Sequence, residues 1–198
     1  QRQLMLITAI DEKQDLFAIK NLISSDLIAD LHKVPLETVP FTKMEWQEKL
    51  PRRKLAQMPG TIFSKIHENI NDAKDLIANT LGQSVQKIET AFWYDQEGFD
   101  FSPHIDNPGV GKVMQIYLSD CPNAGTVFYN VKEHDVVVRD DAQAWHYQGP
   151  MPPVSVRKEF EFKINTGYLM LNGKYQLHGV PNKIGKNDVR LSVYCWIN

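Results

Sequence analysis

The sequence predicts an α+β fold in which N-terminal helices buttress a double-sheet jelly roll. Three observations lead there. The chain has 198 residues, a length that fits one domain over 1–198 and can bury about 70% of its unfolded surface. Apolar residues recur at helical spacing up to about residue 85, which makes that part mainly helical support. From about residue 86 the pattern changes to short extended runs with Gly, Pro, Asn and Asp between them, the mark of a sandwich or barrel.

In chain order, Leu16-Phe17-Ala18-Ile19 reads as an early strand. Ser24 or Ser25 offers an N-cap, Asp26 lies in the first turn, and Leu27, Ile28 and Leu31 form one apolar face. A second helix is expected from Lys43 to Leu50, stopped by Pro51. The third has the clearest period, with Ile62, Ile66, Ile70, Ala73, Leu76, Ile77 and Leu81 before Gly82 as a stop. Strands are expected at Val85–Tyr94, Lys112–Ser119, Thr126–Val131, Asp135–Arg139, Glu159–Ile164, Tyr168–Leu171 and Val189–Ile197. The Pro-rich stretch Gln148 to Pro153 reads as an exposed loop inside the β region, part of a longer segment, Ala142 to Val156, read as a plain insertion ahead of a substrate cover.

Composition narrows the function. Apolar residues are 42% and charged residues 23%, and 22 Lys+Arg against 24 Asp+Glu give a formal charge of −2. That balance argues against a basic nucleic-acid binder or a polybasic membrane protein. No apolar run approaches the ~18–20 residues of a membrane-spanning helix. No signal-peptide pattern opens the chain, which begins at Gln1, and Cys121 and Cys195 are the only cysteines. Two thiols suit a reducing compartment, so a cytoplasmic setting is expected. Oligomeric state is not written in the sequence.

The chemistry centres on His104-Ile105-Asp106, which precedes the turn sequence Asn107-Pro108-Gly109. A His and an Asp two apart on extended backbone point to the same side and can reach one ion. They supply two members of a 2-His-1-carboxylate facial triad, the donor set of non-haem Fe(II) with open positions. A surface His beside a turn-capping Asp would read the same way. The third ligand must come from far along the chain. His178, in Leu177-His178-Gly179, is the best candidate; His134, in a polar turn, and His146, among Pro-rich loop residues, are its rivals. Twelve residues after His178 begins Arg190-Leu191-Ser192-Val193-Tyr194-Cys195-Trp196. Alternation puts Arg190, Ser192, Tyr194 and Trp196 on one face and Leu191, Val193 and Cys195 on the other. An inward Arg190 needs an anion, and the remote carboxylate of a dicarboxylate cosubstrate would serve; an outward Arg190 would need none. Arg52-Arg53-Lys54 reads as a solvated helix end, and Trp46 and Trp93 as core or rim residues.

Over roughly residues 87–198 the chain resembles the Fe(II)/2-oxoglutarate-dependent dioxygenases, particularly the prolyl-hydroxylase-like branch. Tyr94 lies ten residues before His104, in Tyr94-Asp95-Gln96-Glu97-Gly98, which is similar to the family's approach to His-x-Asp. Gln115-Ile116-Tyr117-Leu118-Ser119 is similar to the strand whose Tyr helps hold the cosubstrate's C5 carboxylate, and Gly125 to Tyr129 resembles the next strand. Arg190, Ser192 and Trp196 resemble the Arg-x-Ser and following Trp of the final strand. The resemblance implies a double-stranded β-helix (jelly-roll) core, iron ligands His104, Asp106 and His178, and 2-oxoglutarate held by Arg190 and Tyr117, with Ser192 and Tyr94 as further contacts. The branch usually places its basic residue nine or ten positions after the distal His, where this chain has Asn187 and Asp188, so the resemblance does not extend to a prolyl substrate. The expected function is an oxygenase that uses O2 and 2-oxoglutarate to hydroxylate an unactivated C–H bond of an amino-acid-like, peptidyl or other small substrate. A non-catalytic jelly-roll module that binds a metal or acid is the alternative.

Overall fold

Alternation of burial along the last strand reveals the layering. In Arg190–Ile197 one set of side chains, Leu191, Val193, Cys195 and Ile197, joins a core shared with helices. The other set, with Tyr194 and Trp196, joins a core between two sheets. The computed structural model describes residues 4–41, 52–56, 61–139 and 144–198. Their strands are β1 (Leu6–Ala9), β2 (Leu16–Lys20), β3 (Arg53–Ala56), β4 (Ile88–Asp95), β5 (Phe101–His104), β6 (Lys112–Tyr117), β7 (Thr126–Tyr129), β8 (Val136–Arg139), β9 (Ala144–Tyr147), β10 (Val156–Phe160), β11 (Thr166–Leu171), β12 (His178–Val180) and β13 (Arg190–Ile197). The helices are α1 (Ser25–Leu31), α2 (Thr61–Asp72) and α3 (Lys74–Leu81).

A seven-stranded sheet runs β1-β2-β11-β6-β13-β4-β3, and a four-stranded sheet runs β10-β7-β12-β5. The strand pairs in both are antiparallel. The outer face of the large sheet packs Phe92, Val193 and Cys195 against Phe63, Ile66 and Ile70 of α2 and Ile77 of α3. Its inner face meets the small sheet through Tyr117, Tyr168, Met170, Phe128 and Phe160. Two mostly antiparallel sheets with three helices among the described residues fit a jelly roll. No described helix is long and apolar enough to cross a membrane.

The helix ends at Ser24 and Gly82 are where the sequence put them, and several other elements differ from expectation. Ser24 caps α1, its Oγ accepting from the Leu27 N–H at 3.4 Å, and Gly82 closes α3 at φ 62° in the left-handed region. The expected single helix over 62–81 is two helices instead. It breaks at Ala73, just after Asn71 turns its amide onto the carbonyl oxygens of His67 and Ile88. The expected helix Lys43–Leu50 and Trp46 lie outside the described residues. The strand expected at Glu159–Ile164 sits earlier, at Val156–Phe160; Phe160 and Phe162 are both buried, so alternation continues past the ladder. The Arg52–Lys54 run is not a helix end, since Arg53 opens an edge strand and is buried. β5 contains Pro103, which an edge position tolerates because no ladder bond is lost.

The segment read as a plain insertion contains β9, which pairs with β8 as a separate two-stranded sheet. Its Trp145 and Tyr147 pack with Ile105, Val127, Tyr129 and Leu177 on the far face of the small sheet. Ile105 and Leu177 adjoin His104 and His178 in sequence, so this hairpin backs the strands that carry the histidines.

Candidate active site

His104 ends β5, His178 opens β12, and the ladder places them directly opposite one another. Their ring centroids are 4.5 Å apart. Asp106 follows two residues after the strand and brings its carboxylate between them: Oδ1 is 3.3 Å from His104 Nε2, and Oδ2 is 3.9 Å from His178 Nε2. The candidate ligand atoms of all three residues lie within 4.8 Å of one another, and this is the one such His/Cys/Asp/Glu cluster among the described residues.

The second nitrogen of each ring settles the tautomer. His104 Nδ1 faces the Ser102 carbonyl and His178 Nδ1 the Gln176 carbonyl, each at 2.9 Å. A carbonyl only accepts, so each Nδ1 carries a hydrogen and the Nε2 of each ring is the atom turned towards Asp106. Burial, reinforced by the nearby His104, pushes His178 down to about 4, so it is neutral at pH 7. Burial raises the Asp106 carboxyl, but the His104 hydrogen bond and the imidazole charges outweigh that and hold it below the usual range. An ionised carboxylate and two imidazole Nε2 atoms therefore converge on one point, a donor set that suits a divalent cation. Gln176 is itself pinned, because its side chain donates to the Asp15 carbonyl and accepts from Arg157, which also grips Asp11 and Asp15.

The three residues line a cavity of about 380 Å³, counting its open mouth. Arg190 lines the same cavity at 1% exposure. It donates from Nη1 to Asp95 Oδ2 at 2.7 Å, from Nη2 to Thr126 Oγ1 at 3.2 Å, and from Nε to the Ala124 carbonyl at 3.0 Å. Tyr117 is fully buried and donates to Thr126 Oγ1 at 2.9 Å without itself lining the cavity. Thr126 thus accepts twice and keeps its own hydroxyl hydrogen to donate. Ser192 accepts from Gln115 Nε2, and Gln115 Oε1 accepts from Tyr168, both at 2.9 Å. Tyr94 is not brought to the cavity. Its neighbour Trp93 is, so alternation turns Tyr94 to the outer face, where it stacks on Phe41 at 4.9 Å. His134 is exposed beside Asp135, and His146 sits on β9 opposite Val137, so neither joins the cluster.

No family profile matches the chain, and no curated protein sequence matches it. Solved structures do. A Trichoplax adhaerens prolyl hydroxylase in complex with a hypoxia inducible factor peptide superposes with a TM-score of 0.62 at 14% identity, over 96% of this chain and 87% of that one. A Pseudomonas putida prolyl-4-hydroxylase gives 0.61 at 12%, covering 96% and 97%. HygX from Streptomyces hygroscopicus, with nickel, 2-oxoglutarate and hygromycin B bound, gives 0.62 at 13%, covering 93% and 86%. This chain has the fold of the iron(II)/2-oxoglutarate oxygenases.

On that oxygenase fold the cavity holds residues that sequence reasoning passed over. Arg53 and Trp93 line it, with the guanidinium 3.9 Å from the indole centroid. Tyr194 stacks on Trp93 at 4.5 Å and points its hydroxyl at Asp106 Oδ2, 3.5 Å away. Alternation reaches some of them and already puts Tyr194 on the Arg190 face, though with no role in the site. Tyr194 shares its face with Arg190 and Ser192, Gln115 with Tyr117, and Thr126 with Phe128. Arg53 and Asp95 left no local signal, because only strand pairing brings them to Arg190.

Proposed function

We propose that this protein is an Fe(II)- and 2-oxoglutarate-dependent oxygenase that hydroxylates an unactivated C–H bond of an amino-acid-like, peptidyl or other small substrate. The observation that carries the reading is that His104, Asp106 and His178 share one cavity with a buried, inward Arg190. Fe(II) would be held by the three clustered side chains, through the two Nε2 atoms and the Asp106 carboxylate. Arg190, with the Thr126 hydroxyl, would receive the remote carboxylate of 2-oxoglutarate. Tyr117 and Ser192 act one step back: Tyr117 orients Thr126, and Ser192 orients Gln115 on the cavity wall. Bound together, iron and 2-oxoglutarate supply the oxidising chemistry, in which O2 is reduced as the oxo acid loses CO2 to become succinate and one oxygen atom passes to the substrate.

The chain's own part is placement and exclusion of water. Carbonyls of Ser102 and Gln176 keep both Nε2 atoms available, and Phe101 and Phe128 stack on the two imidazoles. The inner cavity suits a small acid, and its open mouth is the route for the substrate. The test is anaerobic addition of Fe(II) and 2-oxoglutarate to the purified protein. A visible charge-transfer band, followed in air by succinate formation that rises with a true substrate, is expected. Binding without any succinate would favour the non-catalytic jelly-roll module, and neither band nor binding would end the oxygenase reading.

A further inference from the structure

We infer that Arg53 is the second cation of the acid site and sets its preference for an oxo acid with a remote carboxylate; this rests on the oxygenase reading above. β3, β4 and β13 lie side by side, and their register puts Arg53 and Arg190 opposite Asp95 from its two flanks. The row is buried, at 3%, 0% and 1% exposure for Arg53, Asp95 and Arg190. Arg53 takes the carboxylate with two bonds, Nε to Oδ1 at 2.6 Å and Nη2 to Oδ2 at 2.9 Å, while Arg190 reaches it once, at 2.7 Å. Two guanidiniums sharing one carboxylate leave one surplus positive charge beside a cavity that both arginines line.

Asp95 is what makes Arg53 necessary. With an apolar side chain at position 53, Asp95 would cancel Arg190, and an incoming carboxylate would meet a neutral pair. Arg53 absorbs the aspartate's charge and packs on the Trp93 and Phe99 rings, 3.9 and 4.6 Å from their centroids. The row therefore keeps its net charge at a fixed place, and a buried surplus charge is favourable only when an anion meets it. A monocarboxylate oxo acid, which spends its one carboxylate at the metal, has nothing to offer the row.

The experiment compares 2-oxoglutarate with 2-oxovalerate, the same carbon chain without the remote carboxylate, by calorimetry on protein loaded with redox-inert Ni(II). Wild type should prefer 2-oxoglutarate strongly. Arg53→Met should cut that preference at least about tenfold, as expected for losing a buried charge partner, while leaving 2-oxovalerate binding unchanged. A merely structural role would lower both. The double variant Arg53→Met with Asp95→Asn restores one surplus charge through Arg190 and should regain the preference. If a folded Arg53→Met keeps the wild-type ratio, or a folded double variant fails to regain it, the assignment is overturned. If Arg53→Met does not fold, the double variant decides alone, because it keeps the single surplus positive charge of the wild-type row. Wild type that binds Ni(II) yet shows no preference overturns the acid site as a whole, a result distinct from any effect of Arg53.

Discussion

Arg190 binds three different protein acceptors, and its removal tests more than lost charge. In Arg190→Leu, Asp95 keeps its two bonds from Arg53, so no buried carboxylate is orphaned and the fold should survive. The 2-oxoglutarate carboxylate would then face a neutral Arg53–Asp95 pair and an apolar wall. Losing a buried charge-assisted partner costs about 2–5 kcal/mol, roughly thirty-fold to several-thousand-fold in affinity. Titration of 2-oxoglutarate into the Ni(II)-loaded variant should show that loss with metal affinity nearly intact; an unchanged affinity would mean another cation takes the carboxylate. The histidines make a sharper pair. His178→Ala should severely weaken metal binding, whereas His146→Ala, on a strand outside the cluster, should leave it nearly unchanged. Metal titration of the two variants reads this directly, and the opposite order would move the distal ligand to the hairpin.

Among the elements, α2 contributes most visibly to the helical layer. Phe63, Ile66 and Ile70 are all buried in the core against the large sheet. Ile66→Ala leaves a cavity at a position with no exposure, and such deletions cost about 2–5 kcal/mol. Urea denaturation should show that loss with an unchanged slope. The inner face of the sheet, which carries the row and Gln115, lies on the opposite side from Ile66, so Ni(II) affinity of the folded variant should stay near wild type. A small stability change would mean the helix repacks freely. A large loss of metal affinity would mean the helical layer sets the geometry of the site.

At the scale of the molecule, the two halves of the site belong to different sheets. The histidines come from β5 and β12 of the small sheet, and the Arg53–Asp95–Arg190 row from β3, β4 and β13 of the large one. A metal bound alone engages only the small-sheet side. A ligand that touches both metal and row would tie the sheets together. Stabilisation by a ligand follows its occupancy, about 2.7 kcal/mol at a hundred times Kd. Melting curves with Ni(II), with 2-oxoglutarate and with both should therefore show a joint shift larger than the sum of the separate ones. Additive shifts would place the acid away from the metal. A chelator should abolish the joint shift.

What the sequence determined by itself was local and periodic. Period two along Arg190 to Trp196 separated the face that meets the second sheet from the face that meets the helices, because pleat geometry is the same in any sheet. His104 and Asp106 were legible as a pair for the same reason, and Ser24 and Gly82 as helix ends because capping is a matter of adjacent backbone. The break at Ala73 was not legible, since it follows an Asn71 contact to β4 across the core. Nor was the place of Tyr94, one residue out of phase with the cavity-facing Trp93. Tertiary structure alone decided that His178 lies opposite His104, and that a basic run read as solvated sends Arg53 under the sheet. It also decided that Asp95 answers the inward Arg190. Each of those depends on which strands become neighbours and in what register, and that is fixed by burying two sheet faces at once, a free energy summed over the whole chain that no short window of sequence contains.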